Sequence, residues 1–271
     1  DCGCNSGGNH GWNQKWRKPL REAMDWLRDQ LIPVFSNEGA RYFHNPWEAR
    51  NDYISVILDR SEENLDKFFS QHTVKELSLP EKTTSLKLLE AQRNAMLMYT
   101  SCGWFFDEVS GIETIQIMQY ASKALQYAEE IKGLSLEEDY LKYLEKTPSN
   151  VYKNAAKPYE MFVKKAKSDL LRVGAHYCIS SIFEDFAEDA SVYCYSTHSE
   201  VYNRTETGRL KLATGKTKIR SDITWDETTI SFAVLHLGDH NINAGVKSFS
   251  DAADFCVMQS EITSAFEKGD L

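Results

Sequence analysis

The chain has 271 residues, 42% hydrophobic and 26% charged, with a formal net charge of −9. These values suit a globular protein of one large or two modest domains with a sizeable core, and they argue against nucleic-acid binding, which rests on neutralised phosphates. No apolar run is long enough to cross a bilayer and no basic-then-apolar start marks a signal peptide, so neither nucleic acid nor membrane is an expected partner.

In chain order, "DCGCNSGGNHGWNQKW" reads as loop. Leu20, Ala23, Met24, Leu27 and Leu31 then fall at helical spacing, with Pro33 near the expected stop. Asn45-Pro46-Trp47 reads as a cap with proline at the first helical position, leading a helix through Leu58. Ser61 opens a helix to about Thr73, and Pro80 introduces a long one to Tyr99 with Leu86, Leu89, Met96 and Leu97 on its stripe. Residues 112–131 form the next helix, closed by Gly133. "SLEEDYLKYLEK" is shorter, acidic at its start and basic near its end, as the helix dipole favours. Pro158 is expected to begin a last long helix through Phe186.

The period then changes. "SVYCYSTHSEVYNR", "GRLKLATGKTKIRS" and "TTISFAVLHLG" alternate β-branched and aromatic residues between turn signals, and residues 241–249 are read as a fourth strand. Residues 251–266 return to helix. The expected fold class is α+β: a predominantly helical, bundle-like body over 1–189, then a small antiparallel β-meander and terminal helix over 190–271. The two parts are free to pack as one unit.

Six cysteines do not make a disulfide framework here. Cys2 and Cys4 are too close for an easy mutual bridge. Cys102, Cys178, Cys194 and Cys256 lie among apolar neighbours and are expected to be buried thiols in a reducing compartment, the cytoplasm by default. Cys2, Cys4 and His10 lack the spacing and the fourth ligand of a structural zinc site. His236, Asp239 and His240 follow a predicted strand, but Gly238-Asp239 reads as a turn that separates the imidazoles. No metal and no cofactor are expected. His176 is read as a core histidine, and the glycosylation-like Asn203-Arg204-Thr205 carries nothing without a secretory signal.

"TSCGWFFDEVSGIE", residues 100–113, brings a thiol, an indole, two phenyl rings and three carboxylates together between two helices. Two readings stand side by side. In one, Trp104, Phe105 and Phe106 plug a helix-hairpin corner, while Ser110 and Glu113 form a capping box. In the other, Trp104 and Phe106 offer a platform to a sugar face while Asp107 and Glu108 accept hydroxyl hydrogen bonds. Trp12 and Trp16, one helical turn apart, are core anchors or a second platform, and Trp12 joins the candidate substrate contacts.

The segments "DCGCNSGGNHGWNQKWRKPLREAMDWLRD", "MYTSCGWFFDEVSGIETIQIMQYASKAL" and "AVLHLGDHNINAGV" resemble the C-terminal region, a domain of unknown function, of bacterial glycoside hydrolase family 57-like proteins. The resemblance covers nearly the whole chain. It implies a parent protein whose N-terminal distorted (β/α) barrel supplies a glutamate nucleophile and an aspartate acid/base and acts with retention on α-glucans. Neither motif occurs in this chain, so no catalytic residue is carried over, and the chain is expected to be a piece of a longer protein. It would then be an accessory region that shapes the substrate cleft, its partners being the barrel of the same parent and an α-glucan oligosaccharide. The alternative is a structural or oligomerisation module without sugar contact. A self-contained enzyme fits poorly. Adjacent Asp107 and Glu108 seldom aim at one bond, and a retaining glycosidase needs carboxyls roughly 5 Å apart on either side of it; Glu113, Glu184 or Asp239 would have to converge through the fold.

Overall fold

The computed structural model describes residues 9–269. The chain divides into two compact units, one ending at Lys167 and the next starting at Ser168. The class is α+β, as the periodicities indicated.

The first unit is helical. Helix α1 (Arg17–Gly39) buries Leu20, Ala23, Met24, Leu27, Leu31 and Phe35 along one stripe. Pro33 sits inside this helix instead of ending it, because Phe35 beyond it is buried and meets Trp47 edge-on at 5.0 Å. Helices α2 (Pro46–Asp52), α3 (Ile54–Leu58) and α4 (Glu62–His72) follow. Asn45 caps α2 as expected, its side chain accepting from the Trp47 and Glu48 amides.

Helix α5 (Leu79–Leu97) packs on α6 (Ile112–Lys132), and both meet α1. Ala121, Ala124 and Ala128 on α6 leave room for that approach and join Met24, Leu27 and Tyr140 in one core. Glu90, 2% exposed, accepts from the Tyr53 hydroxyl at 2.7 Å, Arg60 at 2.7 Å and Arg93 at 3.2 Å. Two guanidinium partners offset the cost of burying that carboxylate. Helix α7 (Glu137–Glu145) completes the layer against α1.

The long helix expected from Pro158 to Phe186 is broken. It consists of α8 (Ala156–Pro158), a π-helical turn Tyr159–Val163, α9 (Lys164–Ala166) and, after a gap, α10 (Leu170–Ser180). Lys167 turns to ψ 127°, and Asp169 starts a new helix by accepting from the Arg172 amide at 2.8 Å. Helix α10 then ends at Ser180, six residues short of the expected stop.

The second unit is an antiparallel sheet in simple sequence order: β1 (Asp189–Val192), β2 (Tyr195–Thr207), β3 (Leu210–Ser221), β4 (Glu227–His236) and β5 (Ile242–Ser248). Five strands replace the four expected, because the first predicted strand folds on itself at Tyr193-Cys194, with Tyr193 at φ 56°. Helix α10 packs on the face carrying Ile219, Ile230 and Phe232. Gly174 permits the approach, since a Cβ there would lie 2.7 Å from Ile230 Cδ1. The opposite face, with Leu212 and Thr214, meets α11 (Ala252–Lys268), where Gln259 donates to Thr214 Oγ1 at 3.1 Å. Residues 168–189, read from sequence as part of the helical body, therefore belong with the sheet, because Gly174, Tyr177 and Cys178 bury against it.

Two further expectations need correction. Cys178 is buried, and burial raises its thiol pKa, but Cys102 and Cys256 are exposed. His176 is also exposed, stacked on Tyr193 at 5.8 Å rather than set in the core.

Candidate functional site

The acidic-aromatic turn lies wholly in the first unit. After α5, a 3₁₀ turn Ser101–Trp104 docks on α6. Gly103 is required there, because a Cβ would fall 2.4 Å from Ile117 Cγ2. Its carbonyl accepts from Thr114 Oγ1 at 2.8 Å. Trp104 is half-buried and donates from Nε1 to the Met98 carbonyl at 3.1 Å. Its ring stacks on Trp16, 1% exposed, at 6.2 Å and 23°. The Arg21 guanidinium sits 4.3 Å above Tyr99 and 5.8 Å above Trp104.

Phe105 and Phe106 point outward, 55% and 39% exposed, and meet edge-on at 5.2 Å. The backbone behind them is held: the Phe105 carbonyl accepts from Gln14 Nε2 at 3.3 Å and from Arg17. Asp107 and Glu108 turn the other way, only 2% and 6% exposed. Glu108 accepts from the Ser110 amide at 3.0 Å, Ser149 Oγ at 2.6 Å and the Asn150 amide at 2.7 Å. Asn150 extends the knot, donating to the Asn13 carbonyl at 2.9 Å and the Asp107 carbonyl at 2.5 Å. A buried carboxylate is costly unless donors replace its water, and here three do.

Residues 13–17, 104–110 and 149–150 thus meet at one point. Sequence reading placed Glu108 on the sugar side of the turn; its acceptor positions face protein donors. Asp107 lies behind the rings as well. Trp12 is half-buried beside Asn13, and the ring stacked on Trp104 belongs to Trp16. Ser149 and Asn150 were not singled out from sequence; the local signal at Ser149 is a turn, its hydroxyl accepting from the Val151 amide at 3.1 Å and the Tyr152 amide at 2.8 Å.

The capping box expected at Ser110 and Glu113 does not form. Gly111 caps α6 without a side-chain bond, since the Ser110 amide is turned back to Glu108. That device sits at α5, where Glu81 accepts from the Ser78 amide at 2.9 Å. Beside the corner, Ile112 and Val151 are 79% and 54% exposed.

The other clusters offer less. His236 ends β4 with Nε2 at 3.1 Å from the Asp239 carbonyl, and Gly238 and Asp239 take positive φ in the turn. His240 is exposed beyond it. Among the described residues no group of three or more His, Cys, Asp or Glu is placed to hold a metal, and no helix is long and apolar enough to cross a membrane. Cys2 and Cys4 lie outside the described residues. Glu184 and Asp239 belong to the second unit.

Residues 12–271 match the family described as "Domain of unknown function (DUF3536)", and the chain belongs to it. Neither a curated protein nor a solved structure matches the chain.

Proposed function

We propose that this member of the family is the accessory region of a glycoside hydrolase family 57-like protein that acts with retention on α-glucans. The chemistry resides in a barrel of the same parent polypeptide, and this chain walls the substrate cleft. One observation carries the reading: a ring cluster, Trp104, Phe105 and Phe106, is presented at the surface on a turn fixed from behind by buried Glu108. Sugar rings offer flat C–H faces that aromatic side chains cover, and a platform ordered in advance loses little entropy on binding. In this reading Phe106 and the half-buried Trp104 make the contact, while Asp107 and Glu108 brace the platform and Trp12 stands beside the brace. The exposed free thiols of Cys102 and Cys256 support a reducing compartment, the cytoplasm.

Tryptophan fluorescence during titration with maltohexaose tests the proposal. A saturable change in the millimolar range is expected, lost in Phe106→Ala and Trp104→Ala, with no turnover by the chain alone. No change at any concentration, or a change that both variants retain, overturns direct contact. The exposure of Ile112, Val151 and Phe105 favours a second reading, in which the corner packs on the parent's barrel without touching sugar. Ile112→Asp would then abolish association with a separately purified barrel.

A further inference from the structure

The second unit holds a cavity of about 360 Å³ where the end of α10 and residues 181–188 meet β2. That volume lies in the range of small-molecule sites. Tyr177, 1% exposed, belongs to its lining, with the ring stacked on Phe186 at 5.2 Å. Tyr202 contributes a third ring, fixed by its hydroxyl donating to the Ser181 carbonyl at 2.7 Å.

Glu184, Asp185 and Glu188 bring three exposed carboxylates to the same lining. Asp185 lies 3.5 Å from Arg204, and Glu188 lies 3.6 Å from His198 Nε2. No such ion pair engages Glu184 among the described residues, so its charge is the one left to a ligand. Ser199, half-buried, lines the cavity as well, with its hydroxyl beside the Tyr177 phenol.

We propose that this cavity binds a small organic cation, an ammonium or alkylammonium head carrying a hydroxyl-sized polar group. Ring faces are negative and attract a cation, and the Glu184 carboxylate, which has no such ion pair among the described residues, adds a field of the same sign. A neutral sugar could use the rings but would draw nothing from that field, and an anion is repelled by it. Glu184 meets the charged head, Tyr202 and Phe186 flank it, and Ser199 offers its hydroxyl to the polar end. The site is independent of the aromatic corner and does not rest on the function proposed there.

Choline is the probe, with 3,3-dimethylbutan-1-ol as its uncharged isostere. Titrating the ¹⁵N-labelled full chain should shift amides of residues 177–202 with choline. The isostere should bind at least about tenfold more weakly, as should choline to Glu184→Gln, whose exposed position leaves the fold intact by circular dichroism. Equal binding of choline and isostere, undiminished binding to Glu184→Gln, or no shift in 177–202 overturns the assignment. Displacement of choline by maltotriose also overturns it, giving the cavity to sugar.

Discussion

Glu108 shows what a buried carboxylate does when no positive charge accompanies it among its hydrogen-bond partners. Its acceptors are met by a hydroxyl and two amides from segments far apart in sequence, so the side chain works as a clamp across the fold. Removing it leaves the Ser149 hydroxyl and the Ser110 and Asn150 amides without that acceptor in a half-buried place. Glu108→Ala should therefore lower unfolding stability by about 2–4 kcal/mol in denaturant melts. A loss under about 0.5 kcal/mol, the usual range of a surface change, would remove the clamp from the account. Composition announced a cluster of rings and acids between two helices, and Trp104 and Phe106 were legible as its rings. Which way Asp107 and Glu108 would turn was not legible, because that depends on Asn13, Ser149 and Asn150, partners that local spacing cannot bring together.

Among the elements, helices were readable where a stripe repeated and a cap was local. Asn45 before Pro46 starts α2, and Gly133 at φ 65° ends α6, both as their residue types dictate. Failures came where a distant contact decided the outcome. Ser110-x-x-Glu113 and Ser78-x-x-Glu81 carry the same pattern, yet only the second forms a box, because the Ser110 amide is drawn to Glu108. The Tyr193-Cys194 turn carries no Gly, Asn or Pro and looks like continuous strand. The C-terminal ends of α1 and α6 are joined by Glu38, which accepts from Lys132 and from Arg41 at 2.9 Å. Hydrogen bonds from Lys132 first, then Arg41, hold its carboxyl below the usual carboxylate range. Since the folded form binds the proton less tightly than the unfolded one, this contribution is present above the unfolded pKa and is lost as pH falls through the folded one. The stability gap between the native protein and Lys132→Ala should thus narrow on acidification from neutral pH. A gap constant down to the lowest pH at which both fold would show that the link is not ionic.

At the scale of the whole chain, a helical unit and a sheet-bearing unit each have their own core, and the division at Lys167 follows the packing of α10 on the sheet. The candidate sugar-facing surface belongs to the first unit and the proposed cation cavity to the second, so each can be tested without the other. The central claim is that the braced corner at residues 104–106 contacts an α-glucan. Chemical-shift mapping of the full chain with maltohexaose tests it most directly. The account predicts that the Trp104 indole Nε1–H and the amides of residues 104–106 move together and saturate, and that Phe106→Ala abolishes those shifts while the protein stays folded. Saturating shifts located elsewhere, with the Trp104 indole unmoved, would contradict it.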